Sequence, residues 1–496
     1  MQAVTAGTPV DARRQAAAGP ATGRDGGAAH GATATMAAFA VREHRLPALA
    51  RARAQDALTD CVGCMVAGST EPLTRPLLSL IPSFERPDAR FPALLVGAGR
   101  YAAPSDAALF NGAIAHALDF DDTNHPAYAH PTAVLAPALL AVAPLTAASG
   151  ADLITAYILG FEVFGKLGRA MNKQHYKRGW HATSSFGCLA AAVAAGRLLH
   201  LDEREMRMAI GIAASSAGGL RSNFGSMVKP LHAGFAARNG VAAALLARSG
   251  FEAGMDCLDH RYGYLSVFND GIGYDVAPLL ALGEELEILT EHGLALKPYP
   301  ACGATHPGIE AALKLRNELG SAPIASVRAG VCEMALSPLI HVLPETPLAG
   351  KFSLHFCIAA ALLDGKVGLD TFTEERIADP KIRELISRTA MEVDGRWRDD
   401  SEFCTEVTVQ TTDGQRHSAC IPLAAGKPAR WMSEAQMKAK FDDCCAVIPP
   451  AIRDGLFSTL RRIDDGIHAS HLQKALADLP QPAQADHNTG DIDGRG

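Results

Sequence analysis

Residues 151–170 read ADLITAYILGFEVFGKLGRA, and their large apolar side chains recur every three or four positions. This spacing places them on one face of an amphipathic helix. Residues 184–200 and 232–249 are richer in alanine and carry little charge. Such segments are typical of internal helices, because small side chains let helix axes approach closely. The pattern persists through residues 36–284 and predicts a large all-helical domain there.

The sequence pattern changes near residue 285, where short β-compatible runs begin to alternate with helical ones. The β-compatible runs are residues 287–296, 325–336, 402–410 and 417–423, with a hairpin turn at 412–415. The helical segments between them are residues 306–319, 354–363 and 372–389. This alternation predicts a smaller α/β domain over residues 285–427.

The helical pattern returns at residues 434–445 and 451–462. Residues 428–478 are therefore expected to complete the helical domain, which makes the α/β domain an insertion. The predicted fold class is mainly α, with a large all-helical domain and an inserted smaller α/β domain. Residues 1–35 and 479–496 are rich in small and polar residues, so we expect both segments to be disordered.

Composition narrows the function classes. The formal net charge is −7, from 46 basic and 53 acidic residues, and the scattered basic residues argue against a nucleic-acid-binding protein. The eleven cysteines indicate free thiols in a reducing compartment, and the pairs Cys61/Cys64 and Cys444/Cys445 are interpreted as packing residues. No apolar signal-peptide segment precedes Met36, an alternative start, so we expect a cytoplasmic location.

One window calls for comparison with a membrane span. Residues 131–150 carry no charge and are long enough to cross a bilayer. They contain three prolines and are dominated by weakly hydrophobic residues, a pattern that favours a buried helix of a large core. We therefore expect no membrane partner.

The densest polar block is HALDFDDTNHPAYAHP at residues 116–131, between two apolar helical segments. Acid–base catalysis needs groups that titrate near neutrality, as histidine does, and a neighbouring carboxylate orients the imidazole. The block is interpreted as an active site. Its alternatives are a metal site or a helix-capping loop with Asp122 or Thr123 as the N-cap. His116 taken alone is interpreted as a packing residue.

Two further blocks place basic residues where apolar helices begin. GWHATSSFG at residues 179–187 carries His181, and GSMVKPLHAG at residues 225–234 carries Lys229 and His232. Amide groups at helix starts attract carboxylates, and a lysine adds a full positive charge. Together these blocks could supply the base, the acid and the carboxylate-binding cations that an elimination reaction needs.

The α/β region contributes KPYPACGATHP at residues 297–307 and GKFSLHF at residues 350–356. Cys302 is either a nucleophile, with its pKa lowered by a helix start and basic neighbours, or a packed loop residue. His306 lies at an expected helix start. The chain lacks GxSxG, P-loop, GxGxxG and HExxH signatures, which argues against serine hydrolases, NTPases, dinucleotide enzymes and zincins.

The motifs HALDFDDT, GWHATSSFG, KPLHAGFAARNG, YPACGATHPGIEA and KFSLHFCIAAALLDG, in this order, resemble those of the MmgE/PrpD family. That family includes 2-methylcitrate dehydratases, cis-aconitate decarboxylases and iminodisuccinate epimerases. The resemblance implies an α/β lid on the helical domain, a homodimer, and neither metal nor organic cofactor. It also implies that the site contains Asp119, Thr123, His130, His181, Lys229 and Lys297.

Two positions depart from the decarboxylase branch. Its members carry a functional histidine at the position of Cys302 and a tyrosine at the position of Phe356. His306 and His355 are the residues expected to substitute for them. The expected substrate-binding residues are Lys297, Cys302, His306 and His355.

The resemblance and the residues together predict a cofactor-independent lyase, a dehydratase or a decarboxylase, acting on a small citrate- or aconitate-like acid. Lysines would clamp the substrate carboxylates while His130 or His181 removes a proton beside one of them, with Asp119 orienting a histidine. The alternatives are an epimerase of a dicarboxylate such as iminodisuccinate, and a catalytically inactive carboxylate-binding relative.

Overall fold

The computed structural model describes residues 31–271, 273–397 and 403–480, apart from the side chain of Asn172. The helices of these ranges are α1 (Ala32–Val41), α2 (Ala48–Gly68), α3 (Thr74–Leu80), α4 (Pro104–Ala115), α5 (Thr132–Val142), α6 (Gly150–Lys177), α7 (Ala182–Leu198), α8 (Glu203–Ser216), α9 (Val228–Arg248), α10 (Tyr264–Phe268), α11 (Ala277–Leu280), α12 (His306–Leu319), α13 (Pro347–Gly350), α14 (Leu354–Asp364), α15 (Glu374–Ala378), α16 (Pro380–Ser387), α17 (Glu434–Cys444), α18 (Pro450–Arg461) and α19 (Ala469–Ala477). The strands are β1 (Ser83–Phe84), β2 (Ala93–Leu95), β3 (Arg100–Ala102), β4 (Thr123–Asn124), β5 (Leu294–Ala295), β6 (Ile324–Val331), β7 (Thr389–Val393), β8 (Thr405–Thr411) and β9 (Arg416–Ile421). The mainly α fold class is confirmed.

The helices predicted from the amphipathic and alanine-rich patterns are present as α6, α7 and α9, and α7 packs on both of the others. α6 begins with a capping box in which Ser149 and Asp152 satisfy each other's backbone N–H groups. α7 is buried along almost its whole length, and α9 packs on both α7 and α4. A methyl group at Gly234 of α9 would collide with the carbonyl of Leu109 in α4. Glycine therefore lets these helices touch, which sets the start of α9 beside the end of α4.

The buried apolar residues form two separate cores. The first contains residues from α1 to just beyond β5 and, from the other end of the chain, residues 432–479. The second lies within residues 301–419, where α12 packs on α14 and on β8 and β9. The C-terminal helices thus pack with the first core although they follow the second in sequence. We infer from the two cores that the α/β segment is inserted into the helical unit.

A four-stranded sheet in the order β7-β6-β8-β9 carries the second core. β6 pairs in parallel with β7 and antiparallel with β8, and β8 and β9 form the hairpin predicted around residues 412–415. Along β8, buried and half-buried residues alternate, as a strand with one face on a core requires.

Two predicted segments differ from the structure. Residues 287–296 contain only the two-residue strand β5, because Glu287 sits in a 3-10 turn and is buried against Arg169. Residues 372–389 were expected to form one helix, but they divide into α15 and α16. Pro380 begins the second helix and has no N–H to continue the first. Strand β7, which follows at once, was not predicted.

The N-terminal expectation needs a correction. Helix α1 begins at Ala32, so residues 32–35 are helical although the segment 1–35 was expected to be disordered. Four of the first six residues of α1 are buried, which explains why this alanine-rich stretch folds. The remaining parts of the two expected disordered segments, residues 1–30 and 481–496, lie outside the described residues.

The uncharged window and the cysteine pairs behave as expected. Helix α5 occupies the first half of the window 131–150 and is buried on every side. Within the described ranges, no helix has both the length and the apolar character needed to cross a membrane.

The cysteine pairs Cys61/Cys64 and Cys444/Cys445 are buried free thiols, which confirms their interpretation as packing residues.

Helix α17 is attached to the loop that follows α4 by a buried charge. Lys440 Nζ lies 2.5 Å from Asp60 Oδ1 of α2 and donates to the Phe120 carbonyl at 2.7 Å. The same ammonium lies 4.0 Å from the centroid of the Phe120 ring. No well-aligned hydrogen-bond donor of the described residues reaches either oxygen of Asp60. Coulomb attraction to Lys440 therefore offsets part of the cost of burying this carboxylate, and burial still raises the pKa of Asp60 to about 6.

Replacing Lys440 with methionine is expected to lower the free energy of unfolding by about 3 to 5 kcal/mol, because Asp60 would stay buried without its counter-charge. Equilibrium urea unfolding measures this change. The matched control is Lys438→Met on the same helix, which removes ion pairs of half-exposed side chains with Asp442 and Asp454 and should cost less than about 1 kcal/mol. Equal losses in the two variants would contradict a stabilising role for the buried pair.

Candidate active site

The site is centred on Asp119, which follows α4 in a left-handed backbone conformation with φ of 54°. Lys229 Nζ, from the first turn of α9, donates to its Oδ1 at 2.7 Å, and Lys297 Nζ lies 3.2 Å from its Oδ2. His130 Nε2 lies 3.7 Å from Oδ1. The four side chains are between 5% and 15% exposed. The cluster is therefore largely shielded from water, but solvent still reaches it.

The loop that carries Asp119 is bound along its backbone by lysines. Three successive carbonyls each accept a hydrogen bond from one buried ammonium: Leu118 from Lys351 (2.7 Å), Asp119 from Lys297 (2.6 Å) and Phe120 from Lys440 (2.7 Å). A left-handed conformation is uncommon for residues other than glycine, although aspartate tolerates it better than most. Charge-assisted hydrogen bonds are stronger than neutral ones, so these three lysines hold the loop in its unusual course.

His130 is oriented by the backbone of the same loop. Its Nδ1 lies 2.8 Å from the carbonyl of Asp122. Because a carbonyl only accepts, Nδ1 carries a proton and Nε2, which faces Asp119, is the nitrogen left to take up or release one. The backbone N–H of His130 donates to the Thr183 hydroxyl of α7 at 3.2 Å. The position of the imidazole is thereby tied to two elements.

A second carboxylate, Asp121, lies behind His130. His116 Nδ1 lies 2.9 Å from both oxygens of Asp121, and His130 Nδ1 lies 3.3 Å from one of them. Burial would raise the pKa of Asp121, but His116 and His130 hold it well below its usual value. Burial lowers the pKa of His116 to about 4. His116 is therefore a neutral, buried imidazole at physiological pH, positioned by Asp121.

Asp122 has a structural role. It accepts hydrogen bonds from the N–H and hydroxyl of Thr132 at 3.0 and 2.7 Å, at the start of α5. The N-cap residue itself is Pro131, so the expectation that Asp122 or Thr123 is the N-cap is wrong. Burial raises the pKa of Asp122 to about 8.

Electrostatic coupling keeps the centre of the site charged. Burial would raise the pKa of Asp119, yet Lys229, Lys297 and His130 hold it well below its usual value. Burial would lower the pKa of Lys229, yet Asp119 raises it. At Lys351 burial prevails and lowers the pKa to about 8, and the ammoniums of Lys297 and Lys229 add to the effect. The site therefore combines Lys229, whose charged form Asp119 favours, with Lys351, whose pKa is lowered to about 8.

His181 is the N-cap residue of α7, and its Nδ1 lies 3.0 Å from Nδ1 of His232 in α9. Its ring centroid is 6.1 Å from that of His116. Burial is the main cause that holds the pKa of His181 well below its usual value, and the charge of Lys229 adds to it. The structure thus places His181 next to the Asp119 cluster as a neutral imidazole.

Two further predicted site residues are Thr123 of β4 and Cys302, which packs against the second core. Thr123 is half-buried in β4, where its backbone pairs with Ala295 of β5. Cys302 is near the cluster through its backbone N–H, which donates to the Lys351 carbonyl at 2.9 Å. Burial raises the pKa of the Cys302 thiol, contrary to the lowering expected of a nucleophile.

The two histidines of the second core lie outside the group of described side chains that contact Asp119. His306 Nε2 lies 3.1 Å from the carbonyl of Ala301 at the start of α12, and burial lowers its pKa to about 3. His355 is buried in the first turn of α14, where desolvation lowers its pKa. Both have the environment of packed, neutral imidazoles.

Sequence reasoning assigned no role to Lys351, Lys440 or Asp121. Lys351 stands immediately before an apolar helix, in the quoted motif GKFSLHF, but nothing in that pattern shows that its ammonium reaches residue 118. Asp121 lay within the recognised block, and its pairing with His116 five residues earlier was the available signal. Lys440 is separated from its partner by 320 residues.

The same cluster offers donor atoms to a cation. Ligand atoms of His116, Asp119, Asp121 and His130 lie within 4.8 Å of one another. Lys229 and Lys297 already neutralise Asp119, and a divalent ion would have to approach both ammoniums. Coulomb repulsion between like charges in a shielded site is strong, so the arrangement suits proton transfer better than metal binding.

Comparison with known proteins matches the chain to two family models. Residues 33–277 match the MmgE/PrpD N-terminal domain, and residues 299–456 match the MmgE/PrpD C-terminal domain. Residues 278–298, which include Lys297 and the boundary between the two cores, lie between the two matches.

The chain is also similar to curated proteins named cis-aconitate decarboxylase. The protein of Aspergillus terreus (strain NIH 2624 / FGSC A1156) is 29% identical over 435 residues, which cover 82% of this chain and 88% of that protein. The Homo sapiens protein is 30% identical over 379 residues, covering 72% of this chain and 73% of that protein. The Mus musculus protein is 29% identical over 369 residues and 72% of each chain. From the two family models together, the chain belongs to the MmgE/PrpD family.

Proposed function

We propose that the protein is a cofactor-independent lyase that acts on an aconitate-like di- or tricarboxylate, with decarboxylation as the first reaction to test. The observation that carries the proposal is the convergence of Lys229, Lys297 and His130 on the shielded carboxylate of Asp119. The names of the curated relatives support the same class of substrate.

The lysines retain hydrogen-bonding capacity for a substrate. An ammonium has three N–H donors, and among the described residues Lys229 uses one of them for Asp119. Lys351 donates to the Leu118 carbonyl, and no carboxylate of the described residues lies within ion-pair distance of it. Asp119 thus holds the ammoniums of Lys229 and Lys297 in place, while the unused N–H groups of Lys229 and Lys351 bind the substrate carboxylates.

In decarboxylation the bond from a carbon atom to the leaving carboxylate breaks, and its electron pair stays on that carbon as carbon dioxide departs. A second carboxylate conjugated with that carbon takes up the negative charge, and the fixed ammoniums stabilise it as it develops. His130, whose Nε2 has first taken up a proton from solvent, then transfers that proton to the carbon. In dehydration the same imidazole would instead remove a proton beside a carboxylate while an acid protonates the departing hydroxide.

Proton NMR in heavy water with cis-aconitate, citrate, 2-methylcitrate and iminodisuccinate tests the proposal. A decarboxylase releases carbon dioxide and gives a product carrying a solvent deuteron, and a dehydratase releases water without gas. Deuterium exchange with neither loss would identify an epimerase. Tight binding without any exchange would identify an inactive carboxylate-binding relative. Either of the last two results would contradict a lyase.

Lys229→Ala is expected to lower kcat/KM for the accepted acid on the order of 10²- to 10³-fold, because a fixed charge that stabilises the developing anion is lost. The matched control is Lys177→Ala, an exposed lysine at the end of α6, which should leave turnover unchanged. Steady-state kinetics on both variants, with thermal unfolding as a check on folding, measures the effect. Full activity of Lys229→Ala would remove the proposed clamp.

The alkaline side of the pH profile reports on Lys351. Its pKa is lowered to about 8, so raising the pH through that value removes its positive charge, and kcat/KM should fall above about pH 8. In Lys351→Arg the guanidinium stays charged, and the alkaline limb should move to higher pH. Asp122 has a pKa of about 8 as well, and Asp122→Asn should leave the limb in place. If the alkaline limb moved in Asp122→Asn and not in Lys351→Arg, the assignment of this limb to Lys351 would be contradicted.

A further inference from the structure

The contact between His181 and His232 restricts the protons on both rings. The two Nδ1 atoms lie 3.0 Å apart, and the residues are 1% and 4% exposed. Two nitrogens at this distance share one proton, because two N–H groups would repel each other and two lone pairs would leave both atoms unsatisfied. One imidazole is therefore the donor and the other the acceptor.

The surroundings keep the pair neutral in the free protein. His181 is the N-cap residue of α7, so the positive end of that helix dipole lies beside the pair. The other titratable groups near His181 are His116, His130 and Lys229. His181 makes no side-chain cap bond to α7, which leaves its Nδ1 committed to His232.

Only one of the two arrangements lets His181 act as a base. If His232 donates, Nδ1 of His181 is the acceptor and its Nε2 carries a proton, so the ring has no free lone pair. If His181 donates, its Nε2 has a free lone pair. Nε2 can then accept a proton while the bond from Nδ1–H to His232 persists and becomes stronger, because its donor is now charged.

We propose that His232 is a positioning residue, which accepts the Nδ1 proton of His181 and so fixes His181 as the tautomer with a free Nε2. His232 carries its own proton on Nε2 in this arrangement. A neutral imidazole here does what a carboxylate does for other catalytic histidines. A role of His181 as a second proton-transfer group beside His130 rests on the proposed function, whereas the tautomer is a property of the free protein.

The first test needs no substrate. In protein labelled with ¹⁵N-histidine, long-range proton–nitrogen correlation spectra distinguish protonated from unprotonated ring nitrogens, and His181→Gln identifies the signals of His181. On His181 we expect a protonated Nδ1 and an unprotonated Nε2. On His232 we expect an unprotonated Nδ1 and a protonated Nε2. An unprotonated Nδ1 on His181 would overturn the proposal, whatever reaction the protein catalyses.

The second test uses turnover of the acid accepted in the NMR panel. His232→Leu removes the acceptor and should lower kcat on the order of 10²-fold with little change in KM, whereas His232→Asn can present an acceptor oxygen and should recover part of the loss. His200→Asn, an exposed histidine of positive φ, is the matched control. Equal kcat in the leucine and asparagine variants would overturn the proposal. If the wild-type chain turns over no acid, the proposed function fails and the spectra alone decide the tautomer.

Discussion

The buried charge of Asp119 is the constraint on which the rest of the site depends. A carboxylate removed from water is destabilised by several kcal/mol unless opposite charges and hydrogen bonds replace its hydration. Lys229 and Lys297 supply this compensation through direct contacts at 2.7 and 3.2 Å. Each ammonium is itself largely buried. The carboxylate and the two lysines therefore each reduce the free-energy cost of burying the others.

This mutual dependence ties the site to the whole fold. The loop at residues 118–120 receives one ammonium from the connection after β5, one from the end of α13 and one from α17. These segments belong to both cores and to the C-terminal end of the chain. The loop is therefore held in position only when all three are in place. A shift of the second core relative to the first would first change the hydrogen bond from Lys351 to the Leu118 carbonyl, since this bond joins the two cores.

Much of this arrangement follows from the sequence because local periodicity encodes it. The apolar pattern specifies α6, α7 and α9, and the polar block before α5 indicates the site. The sequence does not reveal the contacts between residues far apart in the chain. Nothing in the local pattern distinguishes Lys440 and Lys351 from other lysines, and their partners lie 320 and 233 residues away. The departures at α15 and β7 have another cause. The helical spacing of apolar residues does not show that Pro380 lacks the N–H needed to continue a helix. It also does not show that the residues after α16 pair with β6 in the sheet.

The histidines and lysines of the site also act on each other. The ammoniums near Asp119 and the helix starts create a positive environment that, together with burial, keeps His116 and His181 neutral. A neutral imidazole can accept a proton, whereas an imidazolium cannot. An anionic substrate entering this environment would cancel part of the positive field and raise the proton affinity of the same rings. Substrate binding would then itself strengthen the base, and the water excluded by the bound acid would amplify the effect. A site in which lysines converge on one shielded carboxylate is thus suited to the proposed function, because it would bind polycarboxylates and move protons only when one is present.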